Sequence, residues 1–218
     1  MRGLFITFEG TEGAGKTTQI ERLSRRIREM GHHVRMVREP GGTPLGEEIR
    51  ALLKHHPAGQ GMSAEAELLL MSASRAELVR KVIRPALDAG EIVICDRFFD
   101  STVVYQGYGR GLDLEPIERI TTLAVGATVP DLTLVLQVPL EVSEVRRAER
   151  LGKGSEPADR FDGAGRDFFL RVEQGFEELL RRHPDRMHAV DAVDTVDAVE
   201  RKIWCKVESL FQTQTRSN

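Results

Sequence analysis

Short apolar runs alternate with amphipathic stretches along the chain, and this alternation predicts the order of strands and helices. Apolar side chains recur at helical spacing in the first amphipathic stretch, from Ile20 to Met30. A strand followed by a helix, repeated along the chain, favours a parallel sheet covered by helices on both faces, an α/β fold. The runs with the composition of strands are residues 4–9, 33–39, 91–95, 131–138 and 186–190.

Local signals place the helix boundaries. Gly31 is a helix stop, and "PGGTP" at 40–44 is a strong turn signal. Ser63 can cap a long helix that runs to about Asp88, with a break or restart at Pro85. Further helices are predicted over 45–54, 141–150, 167–182 and 195–211.

The charged, glycine-rich stretch 151–165 has no periodicity, which predicts a mobile loop inserted as a lid. No internal repeat and no linker divides the chain. We therefore expect one domain over residues 1–218, with a lid segment at about 146–165.

Composition narrows the class of protein. A formal net charge of −3 over 218 residues gives no global attraction to nucleic acid or to a membrane surface. Cys95 and Cys205 make neither a disulfide framework nor a zinc site, and a reducing compartment is favoured. No apolar run is long enough to cross a bilayer, and "LFITF" is too short for a signal peptide. We expect a soluble, cytoplasmic protein that binds neither nucleic acid nor membrane.

The motif "GTEGAGKT" carries the clearest chemistry. It fits the G-x-x-x-x-G-K-[ST] pattern of a phosphate loop, and it follows a predicted strand and precedes a predicted helix, as that motif requires. Its backbone N–H groups cradle phosphates, Lys16 reaches the β- and γ-phosphates, and the hydroxyl of Thr17 can hold Mg²⁺. The predicted ATP phosphate-binding residues are Gly10, Thr11, Glu12, Gly13, Ala14, Gly15, Lys16, Thr17 and Thr18.

Residues outside the loop distinguish between the classes of phosphate-loop proteins. A guanine-specific switch needs an Asn-Lys-x-Asp base reader, but the only asparagine is the terminal Asn218. The third strand instead ends in Asp96-Arg97. Because strand C-termini face the ligand crevice in such sheets, Arg97 suits a second phosphate that belongs to an acceptor, and Asp96 joins Thr17 as a candidate metal ligand.

Cations crowd the lid and the helix before it. Solvated pairing with Glu141, Glu144 and Glu149 accounts for one or two of them. Five cations beside a glycine-rich loop otherwise favour a phosphate clamp that also excludes water. The five are Arg146, Arg147, Arg150, Lys153 and Arg160.

Over nearly its whole length the sequence resembles bacterial thymidylate kinases. The resemblance rests on "FEGTEGAGKTTQ", "REPGGTPLGEEIR", "RAELVRKVIRPAL", "DRFFDSTVVYQGYGRG" and "ADRFD" followed by "DFFLRVEQGF". It implies a five-stranded parallel sheet of the P-loop kinase type and a homodimer. It implies transfer of the γ-phosphoryl group from ATP to dTMP, giving ADP and dTDP for dTTP supply and DNA synthesis, with Mg²⁺ as cofactor.

The resemblance also implies roles for individual residues. Arg97 holds the dTMP phosphate with Arg50 beside it, and Glu12 lies near the acceptor sugar. Arg75 donates to a thymine carbonyl, and Tyr105 packs under the deoxyribose, where it crowds a 2′-hydroxyl. Ser101 and Thr102 line the base edge, Gln106 lies near the base, and Arg150 reaches the ATP phosphates. The expected catalytic group is Lys16, Arg97, Arg150 and Glu12.

Three features of the sequence refine the assignment of these roles. Gly13 and the lid arginines place the chain in the version of the family whose basic residues lie in the lid rather than in the phosphate loop. Met71 stands where the family usually has an aromatic side chain that stacks on thymine, and its polarisable thioether can still press on a ring. The lid is slightly longer than usual around "LGKGSEPA", which keeps Arg146 and Arg147 as alternatives to Arg150.

Two other functions stay open at this point. One is a related kinase that acts on another monophosphate or on a nucleoside, although a nucleoside has no need of Arg97 and Arg50. The other is a nucleotide-dependent switch or scaffold that uses ATP without an acceptor. A dependence of turnover on dTMP separates them.

Overall fold

All five predicted strands form one parallel sheet. The computed structural model describes residues 2–152, 160 and 163–216, apart from the side chains of 150, 151 and 212–216. The strands pair in the order β2-β3-β1-β4-β5, which confirms the predicted fold class. They are β1 Phe5–Glu9, β2 Val34–Arg38, β3 Ile92–Asp96, β4 Leu132–Gln137 and β5 Met187–Asp191.

Helices cover both faces of the sheet, since successive side chains of a strand point to opposite sides. Ile6 and Phe8 of β1 pack in the cluster that includes the first and last helices, whereas Phe5 packs in a cluster with Leu78 on the other face. The helices are α1 Lys16–Glu29, α2 Pro44–Lys54, α3 Ala64–Leu78, α4 Arg84–Asp88, α5 Phe99–Thr102, α6 Leu114–Val125, α7 Leu140–Gly152, α8 Arg166–Arg182 and α9 Val196–Arg216.

The long helix after Ser63 begins as predicted, and its α-helical geometry restarts at Arg84, directly before Pro85, in agreement with the predicted break or restart. The Ser63 side chain accepts from the N–H of Ala66 at 3.2 Å, so the predicted cap is present. A π-helical segment, Val79–Ile83, then joins α3 directly to α4. Proline has no N–H to donate one turn back, and the wider π turn before Pro85 accommodates that missing bond without ending the helix.

Residues 97–130 contain helices that the hydrophobic pattern does not predict. They form α5, the π-helical segment Val103–Gly109 and α6. The glycines of "YQGYG" permit close packing here: a Cβ at Gly107 would lie 2.6 Å from Leu114, and one at Gly109 would lie 2.6 Å from Phe168. Glycines that resemble loop punctuation in the sequence are thus packing positions. The last helix, α9, also extends through Arg216, beyond its predicted end at Phe211.

Strand register brings two sequence motifs side by side. Phe8 of β1 pairs with Asp96 of β3, so the phosphate loop after β1 and the Asp96-Arg97 pair leave the sheet at one edge. Strand β1 lies in the middle of the sheet, with β3 on one side of it and β4 on the other, so the strand order reverses at β1. Parallel sheets of this kind bind ligands at the carboxyl ends of the strands where the order reverses. In the part of the chain that is described, no helix is long and apolar enough to traverse a bilayer.

Candidate active site

The phosphate loop connects β1 to α1 in a conformation that depends on glycine. Gly10 has φ 125°, and a Cβ there would lie 2.3 Å from the carbonyl oxygen of Leu136. Helix α1 begins directly after Gly15, which adopts left-handed geometry with φ 86°. The loop therefore ends at the positive N-terminal end of a helix, which is the arrangement that binds anions.

Lys16 lies inside this loop. Its Nζ donates to the carbonyl oxygens of Gly10 at 3.1 Å and Thr11 at 2.9 Å. Burial, and then the positive charge of Arg97, lower the pKa of Lys16 to about 8. Phosphate oxygens beside Lys16 would favour the ammonium form, since a nearby negative charge stabilises it.

Helix α7 packs on the phosphate loop at Gly13. Ser143 Oγ donates to the carbonyl of Glu12 at 2.6 Å, and Arg146 Nη1 donates to that of Gly13 at 3.2 Å. A Cβ at Gly13 would lie 2.9 Å from the carbonyl oxygen of Ser143 and 3.2 Å from the Cβ of Arg146. A larger side chain at position 13 would displace α7, so the loop has no space for a basic residue at this position.

Arg97 follows β3 in a strained backbone conformation. Its φ of 67° lies in the left-handed region, which costs a non-glycine residue roughly 1–3 kcal/mol. The Arg97 N–H donates to the carbonyl of Phe8 at 2.9 Å, which fixes this backbone beside β1. Its guanidinium donates to Ser101 Oγ at 3.2 Å and lies 5.0 Å from the centre of the Tyr105 ring.

Glu9 holds the segment after Arg97 in place, a role that the sequence analysis missed. One carboxylate oxygen accepts from the backbone N–H groups of Phe98 at 2.8 Å and Ser101 at 3.3 Å, and the other accepts from Ser101 Oγ at 2.5 Å. Burial, and then the charge of Asp100, raise the pKa of Glu9 to about 7. The signal in the sequence is a carboxylate at the end of an otherwise apolar central strand.

One cavity of about 470 Å³ joins the phosphate loop to Arg97, a volume typical of small-molecule sites. Gly10, Thr11 and Ala14 belong to the loop but do not line the cavity. Every predicted substrate-binding residue does line it, so the structure brings together side chains from four separate sequence motifs. The predicted residues on its wall are Glu12, Gly13, Gly15, Lys16, Thr17, Thr18, Arg50, Met71, Arg75, Asp96, Arg97, Ser101, Thr102, Tyr105 and Gln106.

Arg75 is buried in the wall of this cavity with one donor left over. Its Nε donates to Glu39 Oε2 at 2.7 Å, and its Nη2 donates to the Phe98 carbonyl at 3.3 Å. Its Nη1 is buried and makes no hydrogen bond within the described residues. Glu39, a second partner that the sequence analysis missed, has a pKa raised to about 7 by burial, against the opposing charge of Arg75. The pair fixes the orientation of Arg75, and Nη1 is the part of the guanidinium that is left without a hydrogen bond in the described residues.

The three predicted lid cations whose side chains are described, Arg146, Arg147 and Arg160, do not form one cluster. Arg146 contacts the phosphate loop and the Ala192 carbonyl, and the Arg147 guanidinium lies 4.6 Å from the ring centre of Phe169, which lines the cavity. The side chain of Arg150 and all of Lys153 lie outside the described residues. Arg160 does not join a phosphate clamp: it donates to Glu67 and to the Leu53 carbonyl, away from the cavity. The buried carboxylate of Glu67 pairs with Arg160 instead, and no local sequence pattern indicates this long-range ion pair.

Asp96 and Thr17 fit a magnesium ion that is shared with phosphates. Both line the cavity, and Asp96 Oδ1 is a buried oxygen without a hydrogen-bond partner in the described part of the chain. Mg²⁺ is usually held by one or two protein oxygens together with substrate phosphates. Among the described residues, no group of three or more His, Cys, Asp or Glu side chains is placed to hold a metal. These residues therefore do not form a metal site made of protein ligands alone.

A phosphate loop that shares one cavity with the arginine at the end of β3 is typical of a P-loop phosphotransferase. Comparison with known proteins identifies the family. The thymidylate kinase family model matches residues 8–203. Thymidylate kinase of Syntrophotalea carbinolica is 46% identical over 201 residues, which cover 92% of this chain and 93% of that protein. Thymidylate kinase of Deinococcus radiodurans is 47% identical over 206 residues, covering 94% and 97%.

Solved structures agree with these sequence relatives. The crystal structure of thymidylate kinase from Ehrlichia chaffeensis is similar, with a TM-score of 0.76 at 34% identity, covering 95% of this chain and 99% of that one. The chain belongs to the thymidylate kinase family, whose members phosphorylate dTMP to dTDP with ATP. The resemblance to bacterial thymidylate kinases is therefore confirmed.

Glu9 makes stability depend on pH in a predictable direction. Its pKa is about 7 in the folded protein against 4.5 for the free group, so between these values the folded state binds a proton that the unfolded state has released. Stability conferred at low pH is therefore lost as the pH rises through this window, by about 3 kcal/mol for Glu9 alone. Glu9→Gln removes this dependence, so the wild-type-minus-variant free energy of unfolding should fall from pH 4.5 to pH 7.

Urea unfolding at several pH values measures this difference. Glu115→Gln is the matched control, because the Glu115 side chain is 75% exposed and its ion pair with Arg119 lies at the surface. A wild-type-minus-Glu9→Gln difference that stays flat over this range would contradict the role given to burial of Glu9.

Proposed function

We propose that this chain binds ATP in the phosphate loop and dTMP in the neighbouring part of the same cavity, and that it transfers the γ-phosphoryl group directly between them. One observation carries this proposal: Lys16 of the donor loop and Arg97 at the end of β3 line a single cavity. Phosphoryl transfer needs little covalent chemistry from the protein and depends mainly on positioning and neutralisation of charge. Two fixed cations, one for each phosphate, supply both.

On the acceptor side, Arg97 and Arg50 hold the dTMP phosphate. Arg50 is steadied by donation from its Nη1 to the Pro40 carbonyl at 3.0 Å. Glu12 lies near the acceptor sugar. Tyr105 packs under the deoxyribose, and its buried ring, with its centre 6.0 Å from that of Phe168, cannot retreat to make room for a 2′-hydroxyl.

The base is read by groups of fixed orientation. The remaining N–H group of Arg75 donates to a thymine carbonyl, and Met71 presses on the ring face. Ser101, Thr102 and Gln106 line the base edge. An amino group in place of that carbonyl leaves the buried Arg75 donor unpaired, which is the strongest kind of discrimination such a pocket offers.

On the donor side, a lid arginine stabilises the transferring phosphoryl group, and Arg150 is the first candidate. Arg146 and Arg147 already contact the phosphate loop and Phe169, which supports Arg150 over these two alternatives. A kcat of Arg150→Ala close to that of the wild type transfers the role to one of them. Thr17 and Asp96 would hold Mg²⁺, which when bound neutralises charge on the phosphates.

The enzyme acts as a homodimer in the cytoplasm. Two apolar side chains, Leu123 of α6 and Leu69 of α3, are 86% and 57% exposed, and these two helices pack against each other. A second copy would remove such side chains from water. Sedimentation velocity tests the dimer, and cell fractionation tests the compartment.

A panel of acceptors tests the function. With ATP and Mg²⁺, we expect dTMP to exceed dUMP as acceptor by a modest margin, since one methyl group contributes roughly 1 kcal/mol on burial. We expect dTMP to exceed dCMP by a large margin because of Arg75. Coupled ADP-release assays give kcat and KM for each acceptor. A better rate with dCMP, dGMP or AMP would replace this proposal by a kinase for another monophosphate, and ADP release independent of any acceptor would favour the switch.

Because Lys16 serves the ATP phosphates and Arg97 serves the dTMP phosphate, replacing each residue should affect the binding of one ligand and not of the other. Arg97→Ala should weaken dTMP binding by roughly 2–5 kcal/mol, because an acceptor phosphate loses a buried charged partner, while ATP binding is retained. Lys16→Ala should abolish turnover and spare dTMP binding. Isothermal titration calorimetry of each ligand measures both effects. Arg119→Ala, at a side chain 79% exposed on α6, is the control, and unchanged dTMP affinity in Arg97→Ala would exclude the assignment.

A further inference from the structure

Glu67 is a buried carboxylate whose hydrogen-bond partners include neither the phosphate loop nor Arg97. Its side chain is 1% exposed and accepts hydrogen bonds from three side chains, with Arg110 donating to both oxygens. Gln106 Nε2 donates to Oε1 at 2.7 Å, Arg110 Nη2 donates to Oε2 at 3.1 Å, and Arg160 Nη2 donates to the same oxygen. Two guanidinium groups supply the positive charge that a buried carboxylate requires. The third donor, Gln106, belongs to the wall of the substrate cavity.

The chemistry of a carboxylate fixes how Gln106 is turned. An ionised carboxylate only accepts hydrogen bonds, whereas an amide has a donating NH₂ end and an accepting oxygen end. The NH₂ end of Gln106 must therefore face Glu67, since the opposite orientation sets two acceptors against each other. The Gln106 side chain is 1% exposed, so no solvent can satisfy a flipped amide. Its carbonyl oxygen is consequently the end available to a ligand.

The same helix face carries the other base contacts. Glu67, Met71 and Arg75 follow one another at four-residue spacing on α3, which places them along one side of the helix. Arg75 offers a donor to the cavity, and Gln106, turned by Glu67, offers an acceptor. The base thus meets a donor and an acceptor of defined order.

We propose that Glu67 is a positioning residue that sets base selectivity by holding the Gln106 amide with its oxygen toward the base; this inference rests on the proposed function. Thymine presents an N3–H donor next to its O4 acceptor and so matches an acceptor at Gln106 and a donor at Arg75. Cytosine presents an N3 acceptor and an amino group, which oppose both. Uracil has the same N3–H and O4 groups as thymine, so Glu67 does not distinguish these two bases.

Glu67→Gln tests this inference, because a neutral amide at position 67 can donate to Gln106 and lets that amide turn over. The ratio of kcat/KM for dTMP to that for dCMP should fall by roughly 5- to 150-fold, the effect of one unpaired buried polar group. The ratio for dTMP to dUMP should not change. A purely structural defect lowers all three activities together and leaves both ratios unchanged, and that outcome would overturn the inference.

Three further variants sharpen the test. Arg110→Ala removes a neighbour of Glu67 but not its bond to Gln106, and should keep the wild-type ratios. In a Gln106→Leu background, Glu67→Gln should change the dTMP to dCMP ratio no further, since the two residues act as one unit. Glu67→Asp keeps the charge that both arginines contact but withdraws the carboxylate from Gln106, so its ratio should lie between those of wild type and Glu67→Gln.

If Glu67→Gln does not fold, Glu67→Asp tests the inference in its place. A dTMP to dCMP ratio in Glu67→Asp equal to that of the wild type then overturns the inference. Additive effects in the Gln106→Leu background overturn it as well. Failure of the proposed function has a different signature, since the wild-type enzyme itself would then prefer an acceptor other than dTMP. Wild-type preference for dTMP with an unchanged ratio in Glu67→Gln rejects only the role given to Glu67.

Discussion

The buried carboxylate of Glu9 is the interaction on which the rest of the site depends. A carboxylate without solvent needs hydrogen-bond donors, and Glu9 finds them in the backbone of Phe98 and in Ser101. This contact ties the end of β1, where the phosphate loop begins, to the segment that follows β3. It holds Arg97 in a left-handed conformation that an arginine would otherwise avoid. Together with the hydrogen bond from the Arg97 N–H to the Phe8 carbonyl, this side chain fixes the phosphate loop and Arg97 relative to each other.

Helix α3 contributes the second rigid element. Arg75 is locked by Glu39 from the turn after β2, and Glu67 collects donors from Gln106, Arg110 and Arg160. Both are buried ionic contacts, which add little net stability compared with apolar packing but are costly to break. Their value here is orientation, because each holds a polar group of the cavity wall at a defined angle. A pocket that must recognise one base among several chemically similar ones needs such fixed donors and acceptors.

The two halves of the cavity are stabilised differently, and this suits a transfer reaction. The phosphate loop relies on backbone geometry, with glycines at Gly10 and Gly13 whose neighbours leave no space for a side chain. The acceptor half relies on side chains drawn from α2, α3 and the segment after β3. Helix α7 contacts the loop through Ser143 and Arg146, so the loop is also held from outside by a second helix.

The sequence alone determined what is local. Strand and helix periodicity gave all five strands, the Ser63 cap followed from a single residue type, and the phosphate loop followed from glycine and lysine spacing. Tertiary structure decided what depends on distant partners. The π-helical segment at Val103–Gly109 packs its glycines against Leu114 and Phe168, and Arg160 turns to Glu67 instead of a phosphate clamp. Glu9 stands out in the sequence only by its place at the end of an apolar strand, and Glu39 and Glu67 resemble ordinary acidic residues. Burial, which is a property of the folded chain, makes each of the three require hydrogen-bond donors and so orient the site.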